Sequence, residues 1–380
     1  MIITIVADVL GDENNGTTIA AYNLIRALRK RGHQVRILCC DQDKIGMEDY
    51  YVVPTYNFGK VINNYILKNG VQLAKPDKKV IAAAFDGCDH VHAMVPLSLG
   101  KAGVKEARKR GLSVTAGFHM QAENLSSHLF LKNDPLFNWI VYKVMHNSFY
   151  KHVHAVHYPT EFVHQLHLKY AKETNAYVIS NGVNLAFQNN AKKDKPKQFE
   201  DKYLILNTSR YSDEKCQKVL LRAVKKSKHE KDIQVVLAGA GPLEKKYRRI
   251  GKKLTNKPIL NFFTREQMIE IIQEADLYVH PADIEAESIA TLEAIAGGLV
   301  PVISNSKRSA ARYFALTEEN TFKNNSPKKL AERIDYWLEN PDKLQENKEK
   351  YVGFTDQFAF ETCMDRMEMM IIETHEKFRS

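Results

Sequence analysis

Residues 2–40 read IITIVADVLGDENNGTTIAAYNLIRALRKRGHQVRILCC, and the way this stretch divides decides the fold. IITIVAD is rich in β-branched residues and reads as a strand, NNGTT as a glycine turn, IAAYNLIRALRKRG as a helix and HQVRILCC as a second strand. Ala20, Leu24 and Leu28, with Ala21 and Ile25 beside them, recur at the spacing of one helix face, and Gly32 is placed to end the helix. The unit is β-α-β, so the helix is expected to pack on a parallel sheet.

The same rhythm continues outward. Short apolar runs at VIAAAF, HVHAM, SVTAGF, AVHYP and AYVIS read as further strands, with helix-length intervals between them. Around residues 185–202, LAFQNNAKKDKPKQFEDK loses periodicity and fills with lysines and amides, which marks a linker. A second series runs through YLILNTS, KCQKVLLRAVKKS, IQVVLAGAGP, ILNFF, MIEIIQEA, DLYVHP and VPVIS. The expected class is α/β with two doubly wound, Rossmann-like domains: 1–190, a linker at 191–202, a second domain over 203–355, and a C-terminal helix over 356–380 packing back toward the first domain.

Composition narrows the function classes. The chain has 380 residues, 44% hydrophobic and 26% charged, which is the make-up of a globular protein with room for two cores. Its five cysteines, Cys39, Cys40, Cys88, Cys216 and Cys363, are scattered and form no C-x-x-C, so neither a disulfide framework nor a zinc site is expected. The opening MIITIVADVLGDENN reads as a first strand, not a leader, and no apolar run reaches membrane-spanning length. The expected location is the cytoplasm. A formal charge of +10 favours anionic partners, namely nucleotide phosphates, an acidic membrane surface or nucleic acid. No RNA- or DNA-binding module appears, so nucleic acid is not an expected partner.

The chemistry-bearing stretch of the second half is IEAESIATLEAIAGG, residues 284–298, with Glu285 and Glu293 eight positions apart. Ser288 is placed as an N-cap, Ile289, Leu292 and Ile295 form an apolar stripe, and Gly297 and Gly298 end the helix, leaving Glu285 in the preceding loop and Glu293 on the helix. Even on one continuous helix the two carboxylates would stand roughly 80° apart, a poor geometry for an acid and base on one face. A helix N-terminus between them suits phosphate, and carboxylates on either side suit hydroxyls. A nucleotide sugar has that layout; the bland alternative is a solvated glutamate pair.

Arg210 and Lys215 in NTSRYSDEKCQ lie just after a strand and suit a diphosphate, unless they are a solvated surface pair. Gly239 and Gly241 in AGAGP form a turn shorter than the dinucleotide fingerprint, so hydride chemistry and a nicotinamide cofactor are not expected. Gly16 lies where the first strand passes into a helix and could allow close ligand approach. His119 in GFHMQAEN falls at a strand end, the edge where open α/β sheets bind ligands. His152, His154 and His157 in KHVHAVH lack a metal motif, and no metal is expected.

Together these stretches resemble the retaining GT-B glycosyltransferases with an E-x7-E motif, glycosyltransferase family 4, over almost the whole chain. NNGTTIAAYNLIRALRKRGHQVRIL resembles that family's glycine loop and first helix, VISNGVN its strand and turn before the linker, SRYSDEK its arginine and lysine spacing, LAGAGPLE its G-x-G-P-L turn, and EAESIATLEAIAGGLVPVIS its E-x7-E helix and next strand. The resemblance implies a GT-B fold facing across a cleft, with the acceptor on the N-terminal domain and the nucleotide-sugar donor mainly on the C-terminal one. It further implies Arg210 and Lys215 at the diphosphate, Glu285 at the sugar hydroxyls, Glu293 at the ribose, backbone N–H groups near Ser288 and Ile289 at phosphate, His119 near the reacting carbon, and Gly16 near the donor.

Retention without metal or cofactor is part of the same implication. The form E-x-E-[SA]-I-x-x-L-E-A, continuing into PVISNSKRSAARYFAL, and the stretch FHMQAEN resemble the subset that glucosylates diacylglycerol. The expected reaction is therefore hexose transfer, glucose from UDP-glucose, to a membrane lipid. A saccharide or wall-polymer acceptor, or a non-catalytic nucleotide-sugar-binding protein, are the alternatives. NYILKNGVQLAKPDKK and GKAGVKEARKRG are candidate contacts with an anionic membrane surface, lysines to headgroups and apolar residues to lipid; an ordinary basic helix face is the alternative for each. The chain departs from the family pattern at Ala286, Glu287 and Cys216.

Overall fold

The computed structural model describes the whole chain except residues 9, 12–15, 58, 60–72, 129, 130, 132 and 189–192. It divides into two compact units, one of Met1–Asn181 with Glu361–Ser380, the other of Gly182–Phe360.

The first unit is built on strands β1 (Ile2–Val6), β2 (Gln34–Cys39), β3 (Tyr50–Val52), β4 (His90–Ala93), β5 (Ser113–Gly117), β6 (Ala155–Tyr158) and β7 (Ala176–Val178). They form one parallel sheet in the order β3-β2-β1-β4-β5-β6-β7. Ile3, Ile5, Val35, Ile37, Val91, Val114 and Ala116 are fully or almost fully buried, as expected of strands covered on both faces. Two elements differ from the sequence expectation. VIAAAF is not a strand: Lys78–Ala84 is a helix, nucleated by Asp77, whose carboxylate accepts from the amides of Lys79 (2.8 Å) and Val80 (3.2 Å). The edge strand is instead β3, at three residues too short to stand out in the sequence.

Helix Phe360–Arg379 runs mostly within this first unit. Arg31 pairs with Glu361, Asp365 and Glu368, His33 Nε2 lies 2.7 Å from Glu368, and the Tyr177 hydroxyl donates to Glu373 at 2.8 Å. Helix Ser98–Lys109 turns Leu99, Gly100, Gly103, Val104 and Ala107 into the core. Val104 and Ala107 of GKAGVKEARKRG are thus buried and face away from any lipid, and the exposed side carries its lysines and arginines. Most of the other basic stretch, NYILKNGVQLAKPDKK, lies outside the described residues.

The second unit carries β8 (Tyr203–Thr208), β9 (Ile233–Ala238), β10 (Ile259–Asn261), β11 (Leu277–His280), β13 (Pro301–Ser304) and β15 (Thr321–Phe322) in a parallel sheet of order β10-β9-β8-β11-β13-β15. Alternate residues enter opposite cores, Val235 and Leu237 on one side, Val236 and Ala238 on the other. A separate two-stranded ribbon pairs β12 (Ile284–Glu285) with β14 (Arg308–Ser309). Glu285 therefore sits in a short strand and not in a free loop.

Candidate active site

The site of the second unit gathers at the carboxyl ends of β8 and β11, where an open α/β sheet presents its loops. After β8, Arg210 Nη2 reaches Glu214 Oε1 at 3.2 Å, and the Ser212 hydroxyl donates to the same oxygen. Burial alone would raise the Glu214 carboxyl, but the charges of Arg210 and Lys215 outweigh it and hold it below the usual range. Cys216 then takes a left-handed conformation, φ 55°, and helix Gln217–Val224 begins. This is the conformation glycine favours, so Cys216 keeps the backbone turn at a steric cost.

Lys215 Nζ lies 2.5 Å from Glu285 Oε2. Both side chains are largely shielded, 19% and 15% exposed, which makes this pair stronger than a surface contact. His280, at the end of β11, places Nε2 3.3 Å from Glu285 Oε2 and 3.3 Å from Ser288 Oγ. Its Nδ1 is buried without a hydrogen-bond partner among the described residues, so the ring proton belongs on Nε2, pointing at Glu285. Burial opposes ionisation of Glu285, yet Lys215 and His280 override it and hold the carboxyl at about 2. Beneath it, Asp283 accepts from Arg308 (2.6 Å), Ser306 (2.9 Å) and Asn324 (2.7 Å), and its amide donates to the Glu214 carbonyl, pinning β12 in place.

Ser288 stands at the N-cap position of helix Ile289–Ala296, with φ 79° and no capping bond from its hydroxyl, which instead meets His280 and, at 2.7 Å, Thr291. The expected side-chain cap is thus absent, and the first-turn amides at Ile289 and Ala290 have no intrahelical acceptor. No acidic residue occupies that turn. Glu293 lies further along the same helix, mostly shielded; desolvation pushes its carboxyl up to about 7, with Arg265 offsetting part of the rise. Glu287 is buried at 3% exposure, so it does not turn to solvent.

Gly239 and Gly241 serve a close backbone approach. A Cβ at Gly239 would stand 2.2 Å from the Ser209 carbonyl oxygen, and one at Gly241 within 2.8 Å of Tyr211 backbone atoms. With Tyr211 N donating to Ala240 O at 2.8 Å, the turn after β9 is seated on the loop that carries Arg210.

In the first unit His119 lies just after β5, and its ring meets that of His157 at 5.3 Å in an edge contact. Burial, then the nearby His157 and His92, lower its proton affinity well below the ordinary value, so the ring is neutral. A file of buried groups continues from there. Thr115 Oγ1 lies 2.8 Å from both His92 Nδ1 and His90 Nε2, His90 Nδ1 2.7 Å from Ser113 Oγ, and Ser113 Oγ 3.1 Å from His375 Nδ1. His152 and His154 are engaged elsewhere, with the Asn147 carbonyl and with Arg108 and the Val114 amide, and no cluster that could hold a metal occurs among the described residues. Gly16 is exposed at the start of helix Gly16–Lys30 with open space around it; residues 12–15 of the preceding turn lie outside the described residues.

The structure thus brings Lys215, Glu285 and Ser288 together and sets Arg210 beside Glu214. His280, Glu214, Asp283 and Arg308 were not singled out in the sequence. His280 alone left a signal, a histidine ending the strand LYVHP much as His119 comes after one in the first half.

Comparison with known proteins identifies the modules and the fold that carry these residues. A model described as Glycosyltransferase Family 4 matches residues 14–187, and one described as Glycosyl transferases group 1 matches residues 188–352. Both halves of the chain are glycosyltransferase modules. Among solved structures, Anabaena HepE in complex with UDP and glucose is 14% identical over 98% of this chain and 100% of its own, with a TM-score of 0.75. Sucrose-phosphate synthase from Thermosynechococcus elongatus is 16% identical over 98% of each chain, TM-score 0.76. The catalytic domain of cholesterol-alpha-glucosyltransferase from Helicobacter pylori is 42% identical over 41% of this chain and 99% of its own, TM-score 0.40. No curated protein matches the chain. The GT-B architecture of this glycosyltransferase is therefore established, and no helix among the described residues is long and apolar enough to cross a membrane.

Proposed function

We propose that this glycosyltransferase moves a hexose, glucose from UDP-glucose, onto a membrane lipid such as diacylglycerol with retention of anomeric configuration and without a metal. The observation that carries the reading is the ionised Glu285, held against Lys215 and His280 beside the open amino end of helix Ile289–Ala296. A carboxylate fixed in this way accepts hydroxyl hydrogen bonds, and the helix end and cations suit phosphate.

In this reading Arg210 and Lys215 neutralise the diphosphate as it departs, Glu285 holds the sugar hydroxyls, Glu293 the ribose, and the Ser288–Ile289 backbone a phosphate oxygen. His119 approaches the sugar near the reacting carbon as a neutral hydrogen-bonding ring. Gly16 lies near the donor, and Gly239 and Gly241 act on it by seating the Arg210 loop. The bond from the anomeric carbon to the phosphate oxygen breaks as the acceptor oxygen bonds on the same face, and the leaving phosphate oxygen takes the acceptor proton. The lipid acceptor rests on the E-x-E form of the motif and on the positive charge of the chain.

The test supplies labelled sugar nucleotides with either lipid vesicles or soluble saccharides. Label entering the lipid fraction from UDP-glucose is the expected outcome. Label in the saccharide fraction would move the acceptor to the alternative class, and donor binding without turnover would remove catalysis from the reading.

A further inference from the structure

Helix Pro135–Ser148 buries Asn138, Tyr142, Met145 and His146 and leaves a set of large apolar side chains outward. Asn138, Tyr142 and His146 are buried, at 5%, 0% and 6% exposure, and the Tyr142 hydroxyl donates to Glu123 at 2.6 Å. On the opposite face Leu136, Trp139, Ile140 and Val144 are exposed by 65%, 45%, 44% and 51%. Their spacing of three and four makes them one continuous stripe, the reverse of an ordinary surface helix. A stripe of this kind needs a partner surface.

Its charge selects the partner. Lys143 lies within the stripe, its ammonium 5.8 Å from the centre of the Trp139 ring. Lys143, Lys151, Lys172 and His152 all sit close enough to His146 to disfavour its protonation. The sequence from 135 to 153 contains no aspartate or glutamate. A second copy of the chain would bring these cations face to face, whereas a surface of anionic headgroups over apolar chains meets both the lysines and the stripe. We propose that this face docks the enzyme on an anionic lipid bilayer, with Trp139, Ile140 and Val144 entering the headgroup boundary and Lys143 pairing with phosphate. Docking presents the enzyme to the lipid acceptor proposed above, but it needs no donor and is measurable without turnover.

The chain has two tryptophans, and Trp337 is buried at 2% exposure, so vesicle-induced fluorescence change reports Trp139. With vesicles of phosphatidylcholine and phosphatidylglycerol, Trp139 emission should shift to the blue and be quenched by brominated lipid. The combined substitution Leu136→Glu, Ile140→Glu and Val144→Glu should weaken cosedimentation by about tenfold or more, and Lys143→Glu should reduce its salt dependence. The circular dichroism of the combined variant and its glucosylation of detergent-dispersed lipid should stay at the parent level. Unchanged binding by the combined variant, equal binding to pure phosphatidylcholine, or a concentration-dependent dimer abolished by the same substitutions would each overturn the docking. Loss of lipid glucosylation in detergent by the unsubstituted enzyme would instead overturn the acceptor assignment and leave the docking standing.

Discussion

At the carboxyl edge of the first sheet stand His92, His119 and His157, rings that stay neutral because burial denies them a proton. At the carboxyl edge of the second stand Arg210, Lys215 and Glu285, each held in an ion pair. The two sheets share a parallel, doubly wound plan, so the contrast is not a matter of fold. It comes from the side chains at the strand ends: serine, threonine and histidine in the first unit, lysine, arginine and glutamate in the second. A buried neutral ring offers directed hydrogen bonds with little field, while a paired ion offers a field that a phosphate can exploit.

The largest consequence concerns pH. Burial holds His90 at about 3, His157 at about 4 and His167 at about 3, all below the 6.5 of an unfolded chain. Above pH 6.5 neither state binds these protons and the first unit keeps its full stability; as pH falls from 6.5 toward 4, only the unfolded chain takes them up and stability is lost. Three such rings lose on the order of 5 kcal/mol by pH 5. The second unit runs the other way. Glu293, raised to about 7, binds its proton in the folded state between pH 8 and 5 and gains about 2 kcal/mol, while Glu285, held at about 2, gives up nothing until below its unfolded 4.5. Hydrogen exchange at pH 7.5 and 5 should show β4–β6 losing protection while β8 and β11 hold or gain it. Parallel loss in both units would break the comparison.

Next in size is the ionic pair itself. Glu285→Gln should lower kcat by about 10²–10³-fold with the fold intact, because it removes the charge and keeps the shape. Lys215→Ala should match that loss and also cost about 2–3 kcal/mol of stability, since it strands a shielded carboxylate. Near-normal transfer in both variants would remove the pair from the chemistry.

Glu293 sharpens the contrast inside the second unit. Its carboxyl is ionised at a cost, so Glu293→Gln should raise the stability of this unit by about 2 kcal/mol at pH 8, and weaken donor binding. In the unsubstituted enzyme the donor KM should climb as pH drops below 7, because the ribose hydroxyls bind the carboxylate, and the Gln variant should be flat. A variant that retains the pH dependence would place the titrating group elsewhere.

The range of each interaction decided how legible it was in the sequence. The parallel sheets were readable because strands such as ITIV and VVLA are continuous apolar runs, a purely local signal. VIAAAF failed because Asp77, just outside the run, caps a helix, and β3 failed because three residues carry no period. Lys215 and Glu285 were each noticeable, but their contact joins residues 70 apart, and the direction in which it shifts Glu285 requires the coordinates. His280, Asp283 and Arg308 went unnoticed because their roles exist only once β11, β12 and β14 are assembled.

The smallest predicted effect tests whether the neutral edge is placed as deliberately as the ionic one. A Cβ on Gly117 would meet His119 Cδ2 and Nε2 at 2.5 Å, so the ring lies folded over a residue with no side chain. The backbone at Gly117 is ordinary extended strand; the severe clash is with the end of a rotatable side chain, and the Met94 carbonyl oxygen at 3.3 Å has only a few tenths of an ångström to yield. Gly117→Ala should therefore cost under about 1 kcal/mol of stability, while swinging the ring from its place. If His119 acts on the sugar from that position, transfer should fall about fivefold, and most of this should vanish in a His119→Ala background. Fully additive losses in the double variant would mean that Gly117 acts on something other than the ring.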